Sequence, residues 1–135
     1  SREFLARVRA ASHYFDGSSA PAAPVAGASA KALEMVSAEP QLRDRLRTNV
    51  RQLRDGLRRL GLAVPDGDTA QTGVGIGDAA HMRRIHGALK ARGILVPYFG
   101  AYSGLPPEGM LRIAVFATHT REQVDQLLSA LRDVL

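Results

Sequence analysis

The sequence contains no cysteine, and aromatic residues make up only 5% of its 135 positions. Without cysteine, disulfide bonds, thiolate zinc sites and cysteine nucleophiles are excluded. No apolar stretch approaches the roughly 20 residues that span a bilayer. The first residues, Ser1-Arg2-Glu3-Phe4, show neither a signal-peptide pattern nor an initiator methionine. We therefore expect a cytoplasmic protein whose chain is processed or is a piece of a longer one.

The composition that remains is typical of one globular domain. Hydrophobic residues account for 45% and charged residues for 23% of the chain, ordinary values for a folded protein. The net charge of +5 comes almost entirely from arginine, because lysine occurs only at Lys31 and Lys90. Arginine enrichment is common in proteins from GC-rich genomes, so the charge alone does not predict nucleic-acid binding. A basic binding module for a polyanion stays open as an alternative.

Hydrophobic spacing and capping residues predict five helices. They cover residues 1–14, 22–38, 41–60, 79–92 and the segment that follows Thr120. Asp78 is placed to cap the fourth helix, and Thr120 with Gln123 has the spacing of a capping box for the last. Gly61 and Gly93 are predicted to end the helices before them in a left-handed conformation.

The helix over 41–60 is the most strongly patterned segment. One apolar stripe is formed by Leu42, Leu46, Val50, Leu53, Leu57 and Leu60. The remaining surface carries the arginines Arg43, Arg45, Arg47, Arg51, Arg54, Arg58 and Arg59. Asp44 and Asp55 lie between them, so we interpret this surface as the solvated face of a docked helix. A phosphate-binding surface is the alternative.

Three short strands are predicted, over residues 72–76, 94–96 and 110–116. A right-handed crossover makes the first two parallel, and the third can insert between them in the antiparallel direction. The predicted fold is α+β in two layers: a small, mostly antiparallel, three-stranded sheet with helices on one face. The other face, where Arg112 points, would lack a cover, and we therefore expect a partner domain.

Glycines and histidines offer little chemistry of their own. The run over 73–77 is not a dinucleotide-binding loop, since Asp78 stands where G-x-G-x-x-G requires its third glycine. We expect these glycines to mark a close backbone approach. His81 and His86 are five residues apart, on different faces of a helix, so no shared metal site is predicted. His119 precedes a helix, where it either lines a pocket or is exposed.

Arg112 is the strongest candidate for a binding residue. It occupies the middle of a strand between Leu111 and Ile113. An edge strand with its arginine in solvent, or an ion pair with a helix, would account for it structurally. The functional interpretation is that its guanidinium binds a carboxylate, because two parallel N–H donors match the two carboxylate oxygens.

Several colinear segments resemble the fold-type-I pyridoxal-phosphate enzymes of the aminotransferase class I/II superfamily, and among them the α-oxoamine synthases. The segment over 110–120, MLRIAVFATHT, resembles that family's late "LRI…A.HT" strand. The helix over 42–61 and the turn over 88–96 resemble the family's helix and its "L...Gi.v" turn. Phe15 to Pro21 falls where the family has its "FS.s.pP" turn, although Asp16 replaces the usual serine.

The resemblance assigns roles to two residues. It implies that Arg112 binds the α-carboxylate of an amino-acid substrate and that Ser18 reaches the cofactor phosphate of a neighbouring subunit in a homodimer. No residue of this chain is assigned a catalytic role. The family's Schiff-base lysine lies upstream of the matching segment. Residues 1–38 would be the end of a large domain with its connecting helix, and 39–135 the carboxyl-terminal small domain.

The function expected from the resemblance is that of a pyridoxal-phosphate-dependent transferase which condenses an amino acid with an acyl-CoA. A plain aminotransferase is the alternative within the same superfamily. The present chain is expected to be inactive alone and not to hold the cofactor, because this chemistry uses the cofactor as an electron sink anchored to a lysine.

Overall fold

A computed structural model describes residues 1–12, 19–100 and 104–135 of the chain. They form two compact units, Ser1–Ala38 and Glu39–Leu135. The first unit contains helices α1 (Arg2–Ala11) and α2 (Ala23–Ala38), and neither of them has a buried residue. The assignment of this unit to the end of a large domain stays a prediction.

The second unit contains three helices and a three-stranded sheet. Its elements are α3 (Pro40–Arg59), β1 (Gln71–Val74), α4 (Ala79–Ala91), β2 (Tyr98–Phe99), β3 (Met110–Ala114) and α5 (Arg121–Val134). The strand order is β1-β3-β2, and β3 pairs in the antiparallel direction with both neighbours. The predicted α+β fold is confirmed, including insertion of the last strand between the first two.

The second strand is not where the sequence pattern placed it. We expected a strand over 94–96 and a loop from 97 onwards, but β2 is Tyr98–Phe99. The N–H of Ile94 donates to the carbonyl of Leu89 (3.0 Å) in the turn that ends α4. The carbonyl of Val96 accepts from Nδ1 of His86 (2.7 Å). Because these backbone groups are already bonded, regular pairing with β3 begins only further along the chain.

The hydrophobic core lies between the sheet and the three helices of the second unit. The side chains on one face of the sheet are Thr72, Val74, Leu111 and Ile113, which are at most 5% exposed; we call this the covered face. Val50, Leu53 and Leu57 of α3 pack into the same core, together with residues of α4 and α5. Burying one such aliphatic side chain stabilises the fold by about 1.5–3 kcal/mol. The predicted alternation along β3 is therefore confirmed.

The predicted helix boundaries rest on identifiable caps. The carboxylate of Asp78 accepts from the N–H of His81 (2.7 Å), and this hydrogen bond holds the pKa of Asp78 below its ordinary value. Thr120 and Gln123 form the reciprocal capping box expected at α5. Gly61 and Gly93 have φ angles of 78° and 75°, as predicted for helix-ending glycines. No helix within the described residues is long and apolar enough to cross a membrane.

Candidate functional site

Arg112 lies at the centre of β3 and points away from the core. Its Cα is paired with that of Gly73 on β1, and its N–H donates to the carbonyl of Pro97 (2.9 Å) beside β2. Its neighbours Leu111 and Ile113 are buried, whereas Arg112 itself is exposed. The strand therefore fixes the backbone of Arg112 from both sides and leaves the guanidinium free to project from the sheet.

The surroundings of this guanidinium are small or apolar. We call this side of the sheet the open face; it carries Gly73, Phe99, Met110, Arg112 and Ala114, with the exposed Gln71 beside Ala114. The guanidinium carbon lies 4.5 Å from the centre of the Phe99 ring. The side chain of Met110 lies against Gly73, in the space that a Cβ at this glycine would occupy. The open face is thus a largely apolar floor with one cation at its centre.

Arg112 has no acidic partner within the part of the chain that the structure describes. None of the ion pairs among those residues involves its guanidinium. An exposed guanidinium above an apolar floor keeps its in-plane N–H donors available for a planar acceptor. The arrangement suits a carboxylate, bound by two parallel hydrogen bonds. The role of Arg112 in binding a substrate stays a prediction.

The residues present do not fit pyridoxal phosphate on their own. Lys31, on α2, is ion-paired with Glu34 (3.2 Å), and both side chains are more than two-thirds exposed. Lys90 is exposed on α4. Neither lysine has the desolvated setting of an amine activated for Schiff-base formation, so we derive no step through the cofactor. Ser18 and Asp16 lie outside the described residues, so the assignment of Ser18 remains a prediction.

Arg54 is a functional part of the fold that sequence reasoning missed. We expected it on the solvated face of α3, but it is only 5% exposed. Its guanidinium donates to the carbonyl of Pro65 (2.6 Å), to the carbonyl and Oγ1 of Thr69 (3.2 and 2.8 Å) and to the carbonyl of Gln71 (3.4 Å). Arg54 therefore holds the loop that leads into β1. Its position, four residues after Val50, borders the apolar stripe and was the available signal.

Two of the other arginines of α3 form exposed ion pairs, and the Nε–H of Arg51 donates to the carbonyl of Arg47 (3.3 Å). Arg47 pairs with Asp44 (3.4 Å), and Arg58 pairs with Asp55 (3.4 Å) and Asp66 (3.5 Å). Such exposed pairs contribute at most about 1 kcal/mol each. Arg54 is thus buried and these two are paired, and the interpretation of this surface as a solvated face stays a prediction.

The three glycines within residues 73–77 have different surroundings. At Gly73 the group that approaches is the side chain of Met110, so our expectation of a close backbone approach is wrong in detail there. Gly75 has no atom within 4 Å of the position of a Cβ. Gly77 has a φ angle of 61°, a conformation that favours glycine.

His119 has a structural role and also lines a cavity. Its Nδ1 accepts from the N–H of Phe116 (3.2 Å), and the side-chain amide of Asn49 donates to the carbonyls of both residues (2.9 and 2.8 Å). The cavity, of about 290 Å³, lies between residues 93–96, the end of β3 and the start of α5. Within the described ranges no group of three His, Cys, Asp or Glu residues could hold a metal ion.

Comparison with known proteins identifies the family. The family model for aminotransferase class I and II matches residues 2–131. A high-resolution structure of SPT with PLP has the same fold (TM-score 0.83, 21% identity, 96% of this chain and 33% of that one). Serine palmitoyltransferase of Sphingomonas wittichii is 30% identical over 70% of this chain and 24% of its own (TM-score 0.61). The chain belongs to the aminotransferase class I and II family.

Its curated relatives point to one branch of that family. The chain is 38% identical to the biotin biosynthesis bifunctional protein BioWF of Corynebacterium kroppenstedtii, over 98% of this chain and 18% of the relative. It is 36% identical to 2-amino-3-ketobutyrate coenzyme A ligase of Escherichia coli, over 92% of this chain and 31% of the relative. It is 34% identical to 8-amino-7-oxononanoate synthase of Pseudomonas entomophila, over 95% of this chain and 33% of the relative. The chain thus spans about a third or less of the length of these relatives.

Proposed function

We propose that this chain is the substrate-carboxylate-binding domain of a pyridoxal-phosphate-dependent enzyme that condenses an amino acid with an acyl-CoA. The single observation that carries the proposal is the exposed guanidinium of Arg112 on the open face, without an acidic partner in residues 39–100 and 104–135. The names of the relatives support the branch, since they include a coenzyme A ligase and an oxononanoate synthase.

In this function Arg112 binds and orients the amino acid. Its two parallel N–H groups hold both oxygens of the α-carboxylate, which fixes the substrate's direction as well as its position. The apolar floor around it lowers the local dielectric and strengthens that pairing. Pyridoxal phosphate, when bound in the intact enzyme, supplies an electron sink, and its anchoring lysine comes from polypeptide other than this chain.

The remaining assignments complete the proposal. Residues 1–38 form the end of the large domain, and 39–135 form the small domain that carries the open face. The intact enzyme is a homodimer in which Ser18 reaches the cofactor phosphate of the neighbouring subunit; a hydroxyl in a glycine-containing turn suits a phosphate oxygen. The isolated chain is inactive, because its own lysines are exposed on helices.

The experiment is to replace Arg112 in the holoenzyme that contains this chain. Arg112→Ala removes two charge-assisted hydrogen bonds, so we expect the dissociation constant of the amino acid to rise about 10- to 100-fold. The KM for the acyl-CoA should stay within about twofold, because the thioester has no carboxylate at this position. Unchanged amino-acid affinity would show that Arg112 is not the residue that binds the α-carboxylate (the carboxylate clamp).

A product assay separates the proposed reaction from plain transamination. The holoenzyme is supplied with an amino acid, an acyl-CoA and an oxo acid, and free coenzyme A is measured with a thiol reagent. Condensation releases one coenzyme A for each amino acid consumed. Amino transfer to an oxo acid, with no release of coenzyme A, would assign the enzyme to the aminotransferases.

A further inference from the structure

Phe99 and Arg112 are arranged as a stacked pair on the open face. The two residues are on adjacent strands, since Pro97 accepts the backbone hydrogen bond of Arg112 and Phe99 follows two residues later on the same side. Diagonal neighbours of this kind are within reach of an aromatic ring and a long side chain. The guanidinium carbon is 4.5 Å from the ring centre, within the range of a cation–π contact.

The backbone around Phe99 is fixed on both sides. The hydroxyl of the preceding Tyr98 donates to the carbonyl of Glu108 (2.8 Å). Gly109, with a φ angle of 78°, packs so closely against the carbonyl of Phe99 that no Cβ fits between them. The start of β3 therefore holds the short strand β2, and with it the ring on which Arg112 rests.

Stacking constrains the guanidinium without using its hydrogen-bond donors. The guanidinium carbon lies over the ring, and the N–H donors that are directed away from the ring stay available to a ligand. A long, exposed arginine ordinarily loses rotamer freedom when it binds a ligand. A ring that already holds the side chain removes part of that cost, so the clamp is preorganised.

We propose that Phe99 is a positioning residue for Arg112 and sets the affinity of the site for the substrate carboxylate. This inference rests on the proposed function of Arg112 and adds a residue that touches neither substrate nor cofactor. It requires an aromatic ring at position 99, because an aliphatic side chain of similar size offers apolar contact but no π-face for the cation.

The test compares Phe99→Leu with Phe99→Tyr in the holoenzyme that contains this chain. Loss of an exposed cation–π contact should raise the amino-acid dissociation constant about two- to fivefold in Phe99→Leu. Phe99→Tyr should stay within experimental error of the wild type. The kcat should not change in either variant, because Phe99 does not touch the reacting atoms.

Two controls separate positioning from a general loss of structure. In an Arg112→Met background, Phe99→Leu should cause no further change in affinity, as expected for residues that act through one another. In ¹H–¹⁵N spectra of the full chain, the Arg112 side-chain Nε–H should lose its ring-current shift in Phe99→Leu and keep it in Phe99→Tyr.

The outcomes distinguish this inference from the proposed function. If Arg112→Ala weakens amino-acid binding but Phe99→Leu does not, the clamp stands and the positioning role is wrong. If Phe99→Tyr is as impaired as Phe99→Leu, or the two substitutions add in the Arg112→Met background, Phe99 acts through packing alone and the inference is again wrong. If Arg112→Ala has no effect, the proposed function fails first.

Discussion

Arg54 and Arg112 are the same residue type in two contrasting regions of one small fold. Arg54 is buried beneath the loop before β1, and carbonyls and a hydroxyl of this chain accept its Nη hydrogen bonds. Arg112 stands on the open face of the sheet, exposed and stacked on Phe99. The first arginine has its partners inside the chain and stabilises it, whereas the second has no acidic partner among the described residues.

The two residues differ in whether the fold supplies acceptors for the guanidinium. Their positions in the hydrophobic pattern of the sequence do not reveal that difference. A buried guanidinium needs acceptors for its donors, since an unsatisfied buried polar group costs about 1–3 kcal/mol. At Arg54 the Nη donors have acceptors, whereas Nε has none among the described residues. An exposed guanidinium can remain without a partner at little cost. A guanidinium with unpaired N–H donors at the centre of a sheet therefore avoids a desolvation cost only on a face that does not pack against the core.

The largest effect is expected from Arg54→Met, which tests the buried side of the comparison. The substitution removes the hydrogen bonds by which the buried Arg54 holds residues 65–71, so the free energy of unfolding should fall by about 3 kcal/mol. Chemical denaturation of the full chain measures it. Arg58→Met is the matched control and should change stability by no more than about 0.5 kcal/mol. Equal effects of both substitutions would contradict an internal role for Arg54.

Gly73→Ala probes how much space the open face leaves beside Arg112. A Cβ at this position meets the side chain of Met110, which must move, and we expect a loss of about 1–2 kcal/mol in unfolding free energy. Gly75→Ala is the control, because nothing lies within 4 Å of its Cβ position. In a Met110→Ala background, Gly73→Ala should lower the unfolding free energy by less than it does in the wild type. An additive pair would contradict the contact.

Thr72→Val tests the covered face, where polar groups are out of place. The hydroxyl of Thr72 is buried and has no hydrogen-bond partner among the described residues. Valine has nearly the same shape without the hydroxyl, so unfolding free energy should rise by about 1 kcal/mol. A thermal shift assay is sufficient to detect it. A clear decrease in stability would reveal a partner for this hydroxyl and weaken the description of the covered face as apolar.

The smallest effect on stability is expected from Arg112→Met. The methionine keeps an apolar stem over Phe99, and no ion pair within the described residues is lost, so stability should change by less than about 0.5 kcal/mol. Denaturation alongside Arg54→Met gives the contrast directly. A loss as large as that of Arg54→Met would mean that Arg112 serves the fold.

Features with local causes could be predicted from the sequence. The capping box of Thr120 and Gln123, the cap at Asp78 and the alternation along β3 follow from side chains that act on their own backbone or on one core. The position of Arg112 on the face opposite the core could be predicted from the sequence for the same reason.

Features that depend on long-range partners could not be predicted. The acceptors of Arg54 lie 11 to 17 residues away in a loop without regular pattern. The start of β2 was displaced because His86 and Leu89 bind the backbone groups of Val96 and Ile94. The approach of Phe99 to Arg112 depends in turn on that displacement, so the sequence pattern did not indicate it.

The most direct test is a ¹H–¹⁵N titration of the full chain with acetate, following the side-chain Nε–H resonances of both arginines at constant ionic strength. We expect a saturable shift of the Arg112 resonance and no shift for Arg54, because the Nε of Arg54 is buried out of reach of the anion and its Nη donors are bound within the fold. Chloride at the same concentration should move neither resonance. An Arg112 resonance that is insensitive to acetate, or one that moves together with that of Arg54, would contradict a guanidinium free to bind a carboxylate.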